Sequence, residues 1–178
     1  MDPIILIEKY YPEDDALRRL LLHHSRQVRD KALDVCRRHP ELEADTQLVS
    51  DGAMLHDIGI FLCNAPGIHC HGTHDYLMHG SLGASLMRDN RLEAIARICE
   101  RHTGTGLRRE AFIKKGLTPP PHDLLPETIE EKIVCYADKF FSKSHPERVR
   151  DVEQTAESLR KFGDECVKTF REWAALFE

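Results

Sequence analysis

The stretch DDALRRLLLHHSRQVRDKALDVCRR, residues 14–38, decides the fold class. Leu17, Leu21, His24, Val28 and Val35 follow one another at intervals of four, three, four and seven. That spacing lines up one face of an α-helix, whereas a strand would alternate. His24 therefore points inward with the apolar stripe. Its neighbour His23, rotated by about 100°, shares a face with Arg19, Arg26, Gln27 and Asp30 and is read as solvated. Upstream, Asp2-Pro3 has the form of an N-cap followed by proline at the first helical position, opening a short helix over residues 4–10. Downstream, His39-Pro40 ends the long helix, and Asp45 caps a third that runs through Val49, Ala53 and Leu55 to a stop at Gly59.

The helical period persists through the rest of the chain. A loop rich in Pro, Gly and His covers residues 61–75. Helices are predicted over about 76–88 and 91–103, with a short basic one near 108–115. Pro119, Pro120 and Pro121 in a row force an extended connection across residues 117–126. Residues 127–141 are helical again, and Pro146 opens a last helix over about 146–177. Its stripe of Val149, Val152, Leu159, Phe162, Val167, Phe170 and Trp173 is material for a core or a homodimer interface. The expectation is an all-α compact bundle forming one domain over residues 1–178.

Composition narrows the function classes. The 178 residues are 41% apolar and 31% charged, with 25 Lys plus Arg against 30 Asp plus Glu, a net charge of −5. That is too apolar for a disordered chain, and no run approaches the roughly 20 residues that span a bilayer. Net acidity argues against a chain that holds long nucleic acid, so a small substrate is expected. Six cysteines without a CxxC pair suit reduced thiols in the cytoplasm, with Cys36, Cys99, Cys135 and Cys166 as small core residues.

Eleven histidines are the unusual quantity. Besides His24, His56 follows Val49 and Ala53 on an apolar face, His79 aligns with Leu82, Gly83 and Leu86, and His102 follows Leu92, Ile95 and Cys99. Asp138 lies among Ile133, Val134, Ala137 and Phe141, and Asp57 adds a carboxylate beside His56. A single inward histidine is ordinarily a hydrogen-bonded core residue. Four imidazoles and two carboxylates on the apolar sides of helices match the way bundles build metal sites. Nitrogen and oxygen ligands without thiolate suit Fe, Mn, Co, Ni or Zn, and a histidine-poor subset suits Mg.

The string Leu55-His56-Asp57-Ile58-Gly59, with His24-Ser25, Val28 and Ala32 before it and Tyr136-Ala137-Asp138-Lys139 after it, resembles the HD superfamily of metal-dependent phosphohydrolases over about residues 20–141. His79-Gly80 and His102-Thr103 are similar to the bimetallic branches of that superfamily, which include HDIG-type proteins and the bacterial symmetrical diadenosine tetraphosphate hydrolases. The resemblance implies one or two divalent ions, the first held by His24, His56, Asp57 and Asp138. His79 and His102 would complete a second, with Asp57 bridging. It further implies hydrolysis of a phosphoester or phosphoanhydride of a nucleotide or other small phosphorylated metabolite by a metal-activated water that Asp57 positions. After Lys139 the chain reads Phe140-Phe141-Ser142-Lys143, where the dinucleotide hydrolases have an acidic, arginine-bearing tail.

Lys139, Arg108 and Arg109 are the candidates for holding the remaining phosphates, while Lys114 and Lys115 read as a solvated face. Cys63, His69, Cys70, His71 and His74 fit no regular structural-zinc spacing and are expected to line the pocket mouth or to be exposed. Two other functions use similar residues. One is a di-iron oxygenase of the inositol-oxygenase type, and the other is a non-catalytic nucleotide-binding sensor.

Overall fold

Side-chain caps fix where most helices begin. In a computed structural model describing residues 2–178, Asp2 accepts from the Ile4 amide to open α1 (Pro3–Tyr10), and Asp15 accepts from the Arg18 amide to open α2 (Ala16–Arg38). Asp45 accepts from Gln47 and Leu48 at the head of α3 (Thr46–Leu55). Then come α4 (His79–Asp89), α5 (Glu93–Arg101) and α6 (Arg109–Lys114). Reciprocal capping boxes, Thr128 with Glu131 and Asp151 with Gln154, open α7 (Ile129–Asp138) and α8 (Val152–Leu159). The helix α9 (Asp164–Phe177) closes the chain. Each such cap satisfies amides that the first turn leaves unpaired.

The all-α expectation holds, with one small addition. Inside the 61–75 loop, β1 (Asn64–Ala65) pairs antiparallel with β2 (Cys70–His71). Among the described residues, no helix is long and apolar enough to cross a membrane.

Two apolar clusters share the long helices. Leu17 and Leu21 of α2 pack with Leu6, Ile7, Leu55, Ile58 and Met87, whereas Val28, Ala32 and Val35 of the same helix pack with Ile133, Ala137, Phe170 and Phe177. Helix α3 divides likewise between Val49 with Ala53 and Met54 with Leu55, and α5 divides between Ile98 and Cys99. His24 falls between Leu21 and Val28, His56 just after Leu55, and His102 three residues after Cys99. The polar residues that the sequence places on apolar faces thus lie along the seam between the two clusters.

Two glycines draw the backbones together along that seam. A Cβ on Gly59 would lie 2.4 Å from both the His79 carbonyl and the Gly83 amide, and one on Gly80 would lie 2.5 Å from the Cys99 carbonyl. Gly59 is therefore not the helix stop that the sequence suggests. Its φ of −87° is open to any residue, α3 has already ended at Leu55, and its requirement is for space.

The C-terminal expectation needs correction. In place of one helix over 146–177 there are two, because Asp151 caps a late start and the chain breaks at Gly163, φ 103°. The break takes Phe162 out of the stripe, and Val149 precedes the helix, so both are exposed while Leu159, Phe170 and Trp173 are buried.

Overpacking against backbone has little room to relax and costs about 1–3 kcal/mol. Gly59→Ala is accordingly expected to lower the melting temperature by several degrees in a chain of this size. Gly67→Ala, where a Cβ meets nothing within 4 Å, should melt like the parent. Calorimetry of the two variants checks the pair.

Candidate metal centre

Three histidines are oriented by the same local device. The Nδ1 of His56 lies 2.7 Å from the Ala53 carbonyl, that of His79 2.6 Å from the Tyr76 carbonyl, and that of His102 2.7 Å from the Cys99 carbonyl, each three residues back. A carbonyl only accepts, so each Nδ1 must carry the donated hydrogen and each Nε2 is the atom turned toward the seam. His56 and His102 sit at the C-terminal ends of α3 and α5, and His79 begins α4. The Tyr76 ring stacks on His79 with centroids 4.6 Å apart.

Asp57 is fully buried, and its two oxygens face different partners. Oδ2 lies 3.1 Å from His56 Nε2 and 3.3 Å from His24 Nε2, while Oδ1 lies 3.4 Å from His102 Nε2 and 3.5 Å from His79 Nε2. Asp138, carried by the last turn of α7, comes 2.9 Å from His24 Nε2 and 3.5 Å from His56 Nε2. Candidate ligand atoms of His24, His56, Asp57 and Asp138 all lie within 4.8 Å of one another, as do those of Asp57, His79 and His102. All six residues that the sequence singles out are thus brought together in two buried groups that share Asp57.

The residues fit divalent ions. Asp57 Oδ1 and His56 Nε2 are buried without a hydrogen-bond partner, and the Lys143 ammonium stands 2.5 Å from Oδ2; a buried polar atom left unpaired is costly unless a cation satisfies it. The Nε2 atoms of His79 and His102 stand 3.0 Å apart. With both Nδ1 hydrogens already given to carbonyls, these are two facing lone pairs, spaced like neighbouring ligands about 2.1 Å from one ion.

The field asks for positive charge at the same place. Burial disfavours a charged His56, but Asp57 and Asp138 outweigh it and lift the imidazole to about 9. Burial and then the neighbouring His102 push His79 down to about 3, and burial holds His102 below its ordinary value. Burial would raise both carboxyls, yet Lys143 and His56 draw Asp57 well below the carboxylate range, and Lys139, His24 and His56 do the same for Asp138.

Above the two groups opens a cavity of about 200 Å³ with His79, His102 and Asp138 in its lining. Its cationic lining consists of Lys139, Lys143, Arg150 and Lys161. Lys139 holds its ammonium 2.5 Å from Asp138 Oδ2 and 2.7 Å from the His102 carbonyl, so it orients a ligand as well as lining the pocket. Lys143 reaches in further, 2.5 Å from Asp57 Oδ2 and 3.3 Å from His24 Nε2.

Arg108 and Arg109, proposed from their closeness to His102 in sequence, are not in that lining. Arg108 pairs with Glu165 at 2.7 Å and Asp123 at 3.3 Å, and Arg109 donates to the Pro120 carbonyl. Gly104 and Gly106, both at positive φ, redirect the chain, and Leu107 then pairs with Leu124. Lys143, Arg150, Lys161 and Tyr76 were not identified from sequence. The only signal was the departure at Phe140-Phe141-Ser142-Lys143.

In the loop, His69, His71 and His74 are exposed, but Cys63 and Cys70 are buried core residues whose thiols burial pushes up to about 12 and about 11. A larger cavity of about 360 Å³ is lined by Arg88, Arg97 and Arg101. Those guanidiniums are already paired with Glu93, Glu100, Glu127 and Glu131, which leaves no net attraction for an anion.

The chain is 33% identical over 159 residues to a tRNA (cytidine(56)-2'-O)-methyltransferase of Thermoplasma volcanium, a match covering 89% of this chain and 40% of that protein. It is 40% identical over 111 residues to an uncharacterized protein of Methanocaldococcus jannaschii, covering 62% and 58%. The matches therefore span 40% and 58% of the length of these two curated relatives. Among solved structures, it resembles the HD domain of the L. monocytogenes phosphodiesterase PgpH, with a TM-score of 0.51 at 20% identity over 90% of this chain and 95% of that one. The same domain in complex with cyclic-di-AMP gives 0.54 at 19%, over 97% and 94%. The HD domain family model matches residues 21–142, well over half of the sequence and including all six clustered ligand candidates, and the chain belongs to that family.

Proposed function

We propose that this chain is a metal-dependent phosphohydrolase acting on a small phosphorylated substrate, with His24, His56, Asp57 and Asp138 as one set of ligands and Asp57, His79 and His102 as the other. The observation that carries this reading is the placement of Asp57, one oxygen toward each group, directly beneath a wall of cations. Two carboxylates against four cations suit an anionic ligand. One or two divalent ions, drawn from Fe, Mn, Co, Ni, Zn or Mg, would bring a water toward a neutral pKa and offset charge gathering on phosphoryl oxygens.

The chain's own residues supply the rest. Asp57 fixes the spacing of the two groups, and Lys139 holds Asp138 in place. Lys143, Arg150 and Lys161 are available to bind the phosphoryl oxygens that do not react. Arg108 and Arg109 have no part in this. Across the reaction, a bond from water oxygen to phosphorus forms as the ester bond breaks, and one proton ends on the leaving oxygen.

The phosphodiesterase description of the L. monocytogenes domain supports this reaction class, and its cyclic-di-AMP complex supports a nucleotide among the ligands. The methyltransferase name belongs to whole proteins of which this chain matches 40%.

Phosphate release from a panel of nucleotides and sugar phosphates, with Mn²⁺ added, is expected from the parent chain and is expected to fall to background in His56→Ala and His102→Ala. The bound metal of both variants should fall by elemental analysis. Release should continue without dioxygen, which an oxygenase would require. Turnover retained in both variants would remove the reading.

A second expectation concerns Lys143. Its ammonium and an ion compete for Asp57 Oδ2, so Lys143→Met should bind Mn²⁺ at least about tenfold tighter by calorimetric titration. The ion-free variant should also unfold more readily, since a buried carboxylate left unpaired costs about 3–5 kcal/mol. An unchanged or weaker affinity would show that the lysine does not occupy the ion's place.

A further inference from the structure

Of the large apolar side chains lining the cavity, only Phe162 stands open to water, at 45% exposure. Helical periodicity would bury it, but the chain leaves α8 in a single tight turn over residues 160–162 and breaks at Gly163, which delivers the ring to the rim. The ring is anchored beside the metal groups. A Cβ on Gly104, two residues after His102, would lie 3.6 Å from it. The Lys161 ammonium stands over the same ring at 5.1 Å from its centroid.

Size constrains what reaches this ring. At about 200 Å³ the cavity falls below the roughly 300–1,000 Å³ that encloses a drug-sized ligand. A phosphoryl group and its immediate neighbour go inside, against Lys139, Lys143 and Arg150, and the rest of the ligand must cross the rim. There it meets a flat π-face with a cation at its side. A planar aromatic group stacks on such a face whatever its substituents and covers it fully, whereas a sugar has no π-face to offer and gains less there.

We infer that Phe162 is a stacking platform for a nucleobase, and that the site takes a nucleotide with its phosphate inward and its base on the rim. This rests on the inward phosphate of the proposed hydrolase. It goes beyond that reading in assigning the second half of the ligand to a named side chain.

Calorimetric titration of the Mn²⁺-loaded chain with AMP and with ribose 5-phosphate tests the inference, with phosphate release followed in the same samples. The parent should bind AMP about tenfold tighter than ribose 5-phosphate. Phe162→Ala should erase that difference while leaving the ribose 5-phosphate affinity and the melting temperature unchanged, and Phe162→Tyr should keep the preference. Equal affinities in the parent, a preference that survives Phe162→Ala, or binding of neither ligand at millimolar concentration would each overturn it. The two readings fail separately. AMP preference without phosphate release keeps the platform and removes the hydrolase, and phosphate release without AMP preference does the reverse.

Discussion

A carboxylate sealed in the seam between two apolar clusters is the constraint on which the rest of the structure depends. Asp57 has no exposed surface, its Oδ1 has no hydrogen-bond partner, and its Oδ2 is met by the Lys143 ammonium. An ion so buried costs several kcal/mol unless opposite charge meets it. The imidazoles of His24, His56, His79 and His102 and the ammonium of Lys143 are what the fold provides around it. The helices are therefore packed about a cation requirement, and the apolar side chains that form their seams are positioned as much by that requirement as by their own burial.

Convergence from four helices and the turn after α3 needs backbones closer than ordinary side chains allow. Gly59 against His79 and Gly83, and Gly80 against Cys99, set those distances, and each contact joins the backbones of two elements that carry ligands. The carbonyl three residues behind His56, His79 and His102 then fixes each ring's tautomer and direction. The orientation of these three rings is thus settled by short-range hydrogen bonds at helix ends, while the distances between them depend on long-range packing.

Periodicity made the ligand set legible in the sequence. His24, His56, His79, His102 and Asp138 sit on apolar faces, where a polar residue stands out against the helical repeat, and Asp57 is adjacent to one of them. The cationic wall was not legible in the same way. Lys143 and Arg150 lie in the irregular segment after α7, which has no period for a residue to violate, and Lys161 and Phe162 lie at a break that the helical repeat runs straight through. Arg108 and Arg109 failed as candidates because sequence closeness to His102 was taken for spatial closeness, and two positive-φ glycines intervene. The same reasoning took Gly59 for a helix stop, since sequence shows that a glycine is needed but not whether φ or space requires it.

Apart from Lys139 and Tyr76, which lie among the clustered candidates in sequence, these two kinds of residue divide the site along the chain. All six clustered candidates fall within residues 21–142, the part that matches the family model. Lys143, Arg150, Lys161 and Phe162 all follow it. Ligands on regular helices, locked by local carbonyl bonds and glycine contacts, cannot shift without disturbing both apolar clusters. Lys143 and Arg150 lie in the irregular segment after α7, and Lys161 and Phe162 in the tight turn after α8, and such connecting segments tolerate change. On the proposed reading, the buried cluster would supply the chemistry, and the residues that follow it would bear on which substrate is held, so a fold shared with other HD domains does not by itself carry a substrate with it.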